Sequence, residues 1–281
     1  MAKEECKMAG STLNNLEPHE RIIVALDNIV AIDPRSNQID RDITASRIDS
    51  LVAQLKEKVG YFKIGLELFT AIGPTAIEIV KRHSGEFFLD LKFHDIPNTV
   101  GQATWVAASY GATFIDVHTL AGMDAMHSAV VNKAKAKLLG ITILTSQSED
   151  WCRRQFKCSV KEKVCSLALE AASAGLDGIV CAPTDVAQLR ADPKLADLLI
   201  VTPGIRPAGS ERHDQRRITT PAAAIQAGAD YLVIGRPITA DPIHDRSGDG
   251  GTVLAMIGMS NPRAFHPFVV TISIILSIGR S

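Results

Sequence analysis

The sequence predicts a (β/α)8 barrel, in which eight parallel strands alternate with helices around one core. Eight short, β-branched runs recur after residue 20, separated by segments with helical periodicity. The runs are mainly apolar rather than strictly alternating, as parallel strands are when helices cover them. Polar residues cluster at the ends of these runs, where barrel enzymes place their chemistry. A length of 281 residues suits one such barrel.

The predicted strands follow one another along the chain. They are RIIVALD from Arg21, YFKIGL from Tyr61, FFLDLK from Phe87, FIDVHT from Phe114, ITILTS from Ile141, GIVCAP from Gly178, LLIVTPG from Leu198 and YLVIGR from Tyr231. An open doubly wound sheet is the alternative fold. The glycine-rich dinucleotide-binding fingerprint is absent after the first run, however, which favours the barrel.

Two intervening segments illustrate the helical patterning. Before the second run, apolar residues recur at helical spacing among charged ones, at Ile48, Leu51, Val52, Leu55 and Val59. Residues 160–174 show the same pattern and stop at Gly175, a predicted left-handed cap.

Composition narrows the class of protein. The chain is 46% hydrophobic and 22% charged, as globular proteins are, and its net charge of −1 gives no reason to expect nucleic acid or an anionic membrane as a partner. Its five scattered cysteines form neither a disulfide framework nor a zinc pattern. The apolar stretch 268–278 is shorter than the ~20 residues of a bilayer span. We therefore predict a cytoplasmic protein with reduced thiols.

The segment FFLDLKFHDIPNTVGQAT carries the most chemical information. Asp90 and Lys92 are two residues apart on one predicted strand, so both side chains should face the barrel interior. A buried carboxylate beside a buried ammonium is costly unless the two are paired or used in chemistry. Asp95 follows in the next loop. A structural ion pair is the alternative, but Lys63, pointing to the same rim, favours a functional cluster.

Other polar residues have both functional and structural interpretations. Arg236 follows the last strand, where barrels commonly hold a phosphate, and a guanidinium binds phosphate bidentately; a surface arginine is the alternative. His118 could line the pocket or make a structural hydrogen bond. No compact set of oxygen ligands is apparent, so no metal site is predicted. Trp105 and Trp151 are predicted to be packing residues.

Several motifs together resemble one family. DLKFHDIPNT, with KIGLEL, VTPGIRP, DQRRI and DYLVIGRP in the same order, resembles orotidine 5′-phosphate decarboxylase, from about Arg21 to Asp241. The resemblance implies a homodimeric barrel that converts orotidine 5′-phosphate to uridine 5′-phosphate in pyrimidine synthesis, with no metal or organic cofactor.

The resemblance also implies roles for individual residues. The catalytic residues would be an alternating charge array of Lys63, Asp90, Lys92 and Asp95. Asp95, Ile96 and Thr99 would reach the neighbouring subunit's site. Further substrate contacts would be Asp27 to a ribose hydroxyl, Ser146 to the pyrimidine amide, Pro203 in the matching loop, and Gln215, Gly235 and Arg236 to the phosphate.

The chemistry of such a site can be argued independently of the family. Direct loss of CO2 from a pyrimidine carbon leaves a carbanion that no adjacent π-system delocalises, so fixed charge must stabilise it. The Lys92 ammonium can stabilise this carbanion and then protonate it. Asp90 would lie near the departing carboxylate, where their repulsion disfavours the ground state.

The chain is predicted to contain three regions. These are a flexible polar lead-in over residues 1–20, a catalytic barrel over 21–245 and a divergent tail over 246–281. Family members should continue into a last covering helix, but three glycines and two prolines make the tail poor helix material. We interpret the tail as a shifted reading frame or a divergent terminus.

Two rival functions stay open. A magnesium-dependent phosphosugar decarboxylase or aldolase on the same barrel would share the D-x-K-x-x-D pattern, although those relatives place an acidic metal ligand where Lys63 stands. A non-catalytic nucleotide-binding scaffold is the other rival, and the unusual tail alone supports it.

Overall fold

Eight parallel strands close into a barrel in the computed structural model, which describes residues 16–206 and 219–239. These ranges contain ten strands: β1 (Ile22–Ala25), β2 (Ala31–Ile32), β3 (Ile39–Asp40), β4 (Tyr61–Gly65), β5 (Glu86–Phe93), β6 (Phe114–His118), β7 (Lys137–Ile141), β8 (Gly178–Val180), β9 (Leu199–Thr202) and β10 (Tyr231–Ile234). The barrel strands pair with their sequence neighbours, and β1 pairs with both β4 and β10 to close the ring. The predicted (β/α)8 fold is thus confirmed.

Helices connect the strands and cover the barrel. They are α1 (Arg41–Leu55), α2 (Leu66–Ile72), α3 (Thr75–Arg82), α4 (Pro97–Ser109), α5 (Met123–Asn132), α6 (Glu149–Phe156), α7 (Val160–Ala174), α8 (Val186–Arg190), α9 (Pro221–Ala227) and α10 (Arg236–Thr239). The apolar set predicted before the second strand is buried, and α7 ends at Gly175 in the left-handed conformation (φ 82°, ψ 25°), as predicted. Gln215, the tail 246–281 and most of the lead-in lie outside the described residues.

Aromatic side chains fill the N-terminal end of the barrel. Tyr61, Phe114 and Tyr231 each begin a strand, and their rings pack edge to face with centroids 5.0–5.5 Å apart. Phe88 packs on Phe114 one layer higher. Because this end is filled, a ligand pocket is left to the C-terminal ends of the strands.

The predicted fifth strand was misplaced. The run from Ile141 to Ser146 was expected to be the strand, but β7 covers Lys137–Ile141 and pairs with β6 along its length. The apolar sequence continues unbroken past the end of the ladder, so hydrophobicity alone does not mark the boundary. Ser146 therefore lies in the loop beyond the strand.

Strand β5 contains a bulge beside the predicted catalytic residues. Leu89 pairs with Ile115 and Phe93 with Val117, so three residues of β5 stand opposite Asp116 alone. Lys92, within this bulge, has a left-handed backbone with φ 51°. Asp90 and Lys92 both face the cavity, as expected, but the bulge interrupts the pleat, so they do so from an irregular strand and not by simple alternation.

A long and mostly polar loop follows β1. It forms a short antiparallel hairpin in which Ala31 pairs with Asp40 and Ile32 with Ile39. The buried Thr44 hydroxyl accepts the Ala31 N–H at 2.9 Å and ties the hairpin to α1.

Candidate active site

Four alternating charges form a continuous row at the C-terminal end of the barrel. Lys63 Nζ lies 2.9 Å from Asp27 Oδ2 and 3.0 Å from Asp90 Oδ2, and Lys92 Nζ contacts Asp90 Oδ1. We call these residues (Asp27, Lys63, Asp90 and Lys92) the charge row. Strands β1, β4 and β5 adjoin one another in the barrel, which is why residues distant in sequence meet here.

Burial and mutual attraction determine the ionisation of the row. Burial alone would lower the pKa of Lys63, but the carboxylates of Asp90 and Asp27 raise it well above its usual value. Burial would likewise raise the pKa of Asp90, yet the Lys63 ammonium, a hydrogen bond from Asp116 and the Lys92 ammonium hold it well below its usual range. Lys63 is therefore protonated and Asp90 ionised at neutral pH.

An open cavity of about 390 Å³ lies above the row, within the range of small-molecule sites. Eight of the twelve predicted site residues line it: Asp27, Lys63, Asp90, Lys92, Ser146, Pro203, Gly235 and Arg236. Phe88 also lines this cavity, between the charge row and the aromatic layer below.

The other predicted residues lie elsewhere. Asp95, Ile96 and Thr99 are exposed at the start of α4 and are not among the cavity-lining residues. Asp95 Oδ1 accepts the Ile96 N–H at 2.7 Å. Gln215 falls in the gap between the described ranges.

Sequence reasoning assigned no role to two residues of this site. Arg206 lines the cavity although its residue is only 5% exposed, and it belongs to the quoted VTPGIRP motif, which could have drawn attention to it. Asp116 is fully buried under the β5 bulge, where its Oδ1 accepts the Lys92 N–H at 2.8 Å. A charged residue within the apolar run FIDVHT was the available signal for Asp116.

The structure decides whether His118 lines the pocket or makes a structural hydrogen bond. It is not among the cavity-lining residues; its Nδ1 accepts the Leu120 N–H at 3.3 Å, and its ring lies 5.1 Å from that of His94. Burial, followed by the nearby charges of His94 and Lys92, lowers the pKa of His118 to about 4. A structural hydrogen bond is therefore its role here.

The two tryptophans that were predicted to be packing residues differ in their exposure to solvent. Trp151 packs against Phe156 with ring centroids 5.5 Å apart, as expected. Trp105 is 57% exposed on α4, so the expectation that it packs in the core was wrong. Ile96, at the start of the same helix, is also exposed, at 66%, so both residues present apolar side chains to solvent.

Residues 16–206 and 219–239 contain neither a metal-binding cluster nor a membrane-spanning helix. No group of three or more His, Cys, Asp or Glu side chains there is arranged to hold a metal ion. None of the helices in the same ranges is long and apolar enough to cross a bilayer.

A closed parallel barrel with fixed charges and a cavity at its C-terminal face defines a β/α-barrel enzyme. The pattern of the orotidine 5′-phosphate decarboxylase / HUMPS family matches residues 20–247, and this chain belongs to that family.

Named relatives agree with this assignment. A protein named orotidine 5′-phosphate decarboxylase from Trichlorobacter lovleyi is 48% identical over 206 residues, covering 70% of this chain and 85% of that protein. Another of the same name, from Pelobacter propionicus, is 42% identical over 241 residues, covering 82% and 94%. The crystal structure of orotidine 5′-phosphate decarboxylase from Lactobacillus acidophilus superimposes with a TM-score of 0.68 at 32% identity, covering 85% of this chain and 98% of that one.

Proposed function

We propose that this protein decarboxylates orotidine 5′-phosphate to uridine 5′-phosphate, the last step of pyrimidine nucleotide synthesis. The observation that carries the proposal is the charge row, which places the Lys92 ammonium against the Asp90 carboxylate at the cavity wall. Membership of the family and the names of the relatives support the choice of substrate.

The reaction needs only charges and one proton. The bond between the pyrimidine ring and its carboxylate breaks, CO2 leaves, and the electron pair remains on the ring carbon. Lys92 stabilises the developing negative charge and transfers an ammonium proton to that carbon, after which a proton from solvent restores the ammonium. Asp90, held ionised by Lys63, repels the substrate carboxylate until CO2 has departed.

The remaining cavity residues are proposed to bind the nucleotide away from the reacting carbon. Asp27 would accept a hydrogen bond from a ribose hydroxyl, and Ser146 would contact the pyrimidine amide near Pro203. Arg236, with Gly235 beside it and Gln215, would bind the phosphate. Binding energy from that remote group would help hold the base against the charge row.

We also propose a homodimer in which Asp95, Ile96 and Thr99 complete the neighbouring site. The exposure of all three residues outside the cavity supports this, as does the exposed apolar surface of Trp105 and Val106 on α4. A solvent-facing tryptophan beside exposed aliphatic side chains is typical of a surface that another protein covers.

The catalytic unit is proposed to be the barrel of residues 21–245, preceded by a lead-in and followed by the divergent tail. The end of the family match at residue 247 supports this boundary. A cytoplasmic location, suggested by the scattered cysteines of the sequence, belongs to the same proposal.

The direct test is turnover of orotidine 5′-phosphate followed by ultraviolet absorbance, with a chelator present. We expect the wild-type reaction to survive the chelator and Lys92→Ala to lose at least about 10⁴-fold in kcat, since both a proton donor and a fixed charge are removed. Lys56→Ala, an exposed residue just after α1, is the control and should turn over normally. Loss of the wild-type activity with chelator would favour the magnesium-dependent rival, and tight nucleotide binding without turnover would favour the scaffold.

A complementation experiment tests the shared site. Asp95→Ala and Lys92→Ala are each expected to be inactive. If Asp95 acts on the neighbouring site, random exchange of subunits creates one intact site in each mixed dimer and restores about a quarter of wild-type activity. No recovery in demonstrably mixed dimers would contradict the proposed role of Asp95.

A further inference from the structure

Asp116 is a buried acid next to the charge row, and the proposed chemistry does not use it. Its residue has no solvent exposure, and its Oδ1 accepts the backbone N–H of Lys92. Its Oδ2 is also buried, and no donor from the described residues reaches it. A buried carboxylate oxygen without a donor is costly, so an ionised Asp116 does not fit this environment.

Asp116 accepts the backbone N–H of Lys92, whose side chain contacts Asp90, and the Asp90 carboxylate is the neighbouring acid that acts on it. Two ionised carboxylates cannot donate to each other, and their charges repel, so a proton must lie between them. Asp90 already contacts two ammonium groups, those of Lys63 and Lys92, and is the better site for the negative charge. The proton therefore belongs to Asp116.

We propose that Asp116 is a neutral carboxylic acid that donates a hydrogen bond through Oδ2 to Asp90 while its Oδ1 accepts the Lys92 N–H. It is a positioning residue: one hydrogen bond orients the Asp90 carboxylate, and the other secures the left-handed backbone from which the Lys92 side chain extends. Its importance for turnover rests on the proposed decarboxylation, but its protonation does not.

The charges around Asp116 agree with a neutral acid. Burial first, and then the negative charge of Asp90, raise the pKa of Asp116 well above its usual value, while Lys92 opposes them. On the neighbouring strand β7 its partner in register is the uncharged Leu139, and the ammonium of Lys63 pairs with Asp90. Raising the pH far enough to ionise Asp116 would therefore place a second negative charge against Asp90.

Asp116→Asn and Asp116→Leu separate hydrogen bonding from simple space filling. Asparagine keeps one acceptor for Lys92 N–H and one donor for Asp90 without carrying a titratable proton. Leucine branches at Cγ as aspartate does, although it is larger, and it keeps neither. We expect Asp116→Asn to retain kcat within about threefold and Asp116→Leu to lose about 100-fold in kcat through misplacement of the reacting groups.

Infrared spectroscopy tests the proton itself without requiring turnover. The difference spectrum between wild type and Asp116→Asn at neutral pH should contain the carbonyl stretch of a protonated carboxyl group, lost in the variant. At alkaline pH, kcat should begin to fall at a lower pH in wild type than in Asp116→Asn, because only the wild type can ionise residue 116. Both proteins retain Lys63 and Lys92, so titration of these lysines would affect both alike.

Three results would overturn the proposal. They are absence of the protonated-carboxyl band in folded wild type, equal losses of kcat in Asp116→Asn and Asp116→Leu, or full kcat in folded Asp116→Leu. If the wild type does not act on orotidine 5′-phosphate at all, the proposed function fails while the infrared measurement still decides the state of Asp116.

Discussion

The ammonium nitrogen of Lys63 lies 3.0 Å from Oδ2 of Asp90, and both residues are only 7% exposed. The same ammonium lies 2.9 Å from Asp27, so one cation compensates two carboxylates at the mouth of the barrel. Lys63 is thus the structural centre of the charge row.

Replacing Lys63 by Met should destabilise the fold strongly, because removing one partner of a buried ion pair leaves a charge uncompensated. We expect Lys63→Met to lower the free energy of unfolding by about 3–5 kcal/mol. Lys137→Met is the matched control, since Lys137 pairs with Asp177 at 3.4 Å with a half-exposed side chain and should lose less than about 1 kcal/mol. Urea denaturation measures both, and equal losses would show that Lys63 is not the main compensation for Asp90.

Gly65 at the end of β4 should tolerate no side chain. A Cβ there would lie 2.6 Å from Lys63 Nζ and 2.7 Å from Asp27 Oδ1, so Gly65→Ala must displace this ion pair. We expect a loss of about 10-fold or more in kcat/KM, because a shift of about 1 Å in a catalytic group can cost 100-fold.

The control for Gly65→Ala is Gly178→Ala, at the start of β8 and so at the other end of the barrel. Its Cβ would meet the backbone and side chain of Leu199 at 2.6 Å. This variant should lower Tm while kcat/KM per folded molecule is preserved. If both variants lose stability and activity in the same proportion, the argument about the ion pair is wrong.

The left-handed backbone of Lys92 predicts a difference between two variants that both lack the ammonium. Alanine at φ 51° carries a steric penalty that glycine avoids. We expect Lys92→Gly to be more stable than Lys92→Ala by about 1 kcal/mol, although neither turns over substrate. Chemical denaturation of the pair measures the difference, and a more stable alanine variant would mean that the bulge relaxes in solution.

The lowered pKa of His118 predicts that the folded protein loses stability in acid. The folded state lowers the pKa of His118 from 6.5 to about 4, so its neutral form is favoured by folding. The resulting stability is present above pH 6.5 and is lost as the pH falls toward 4. After allowance for solvent screening we expect on the order of 1 kcal/mol, or roughly 2–4 °C in Tm.

His118→Asn keeps an acceptor for the Leu120 N–H and removes the titration. Its Tm should fall less steeply than that of wild type across the same pH range. His127→Asn, at an exposed position of α5, should follow the wild-type curve. Parallel curves for wild type and His118→Asn would exclude this residue as the source of the acid sensitivity.

Local sequence patterns were enough to predict the barrel, and the motifs shared with the family pointed to eight residues that line the cavity. Apolar runs and helical periodicity are properties of neighbouring residues, so they predicted seven of the eight barrel strands and the cap at Gly175. The misplaced fifth strand shows what local patterns cannot predict, because the end of a strand depends on where its partner strands stop pairing. The functional residues carried by DLKFHDIPNT were recognisable because that motif keeps several charges close together in sequence.

The sequence by itself determined the fold class, the family and eight of the residues that line the cavity. Only the tertiary structure decided that Asp27 joins Lys63 and Asp90 in one row, that Lys92 extends from a left-handed bulge, and that Asp116 lies beneath both Asp90 and Lys92. These relationships depend on the register between strands that are far apart in the chain. No local pattern encodes that register, because it is fixed by closure of the barrel and by the packing of its interior.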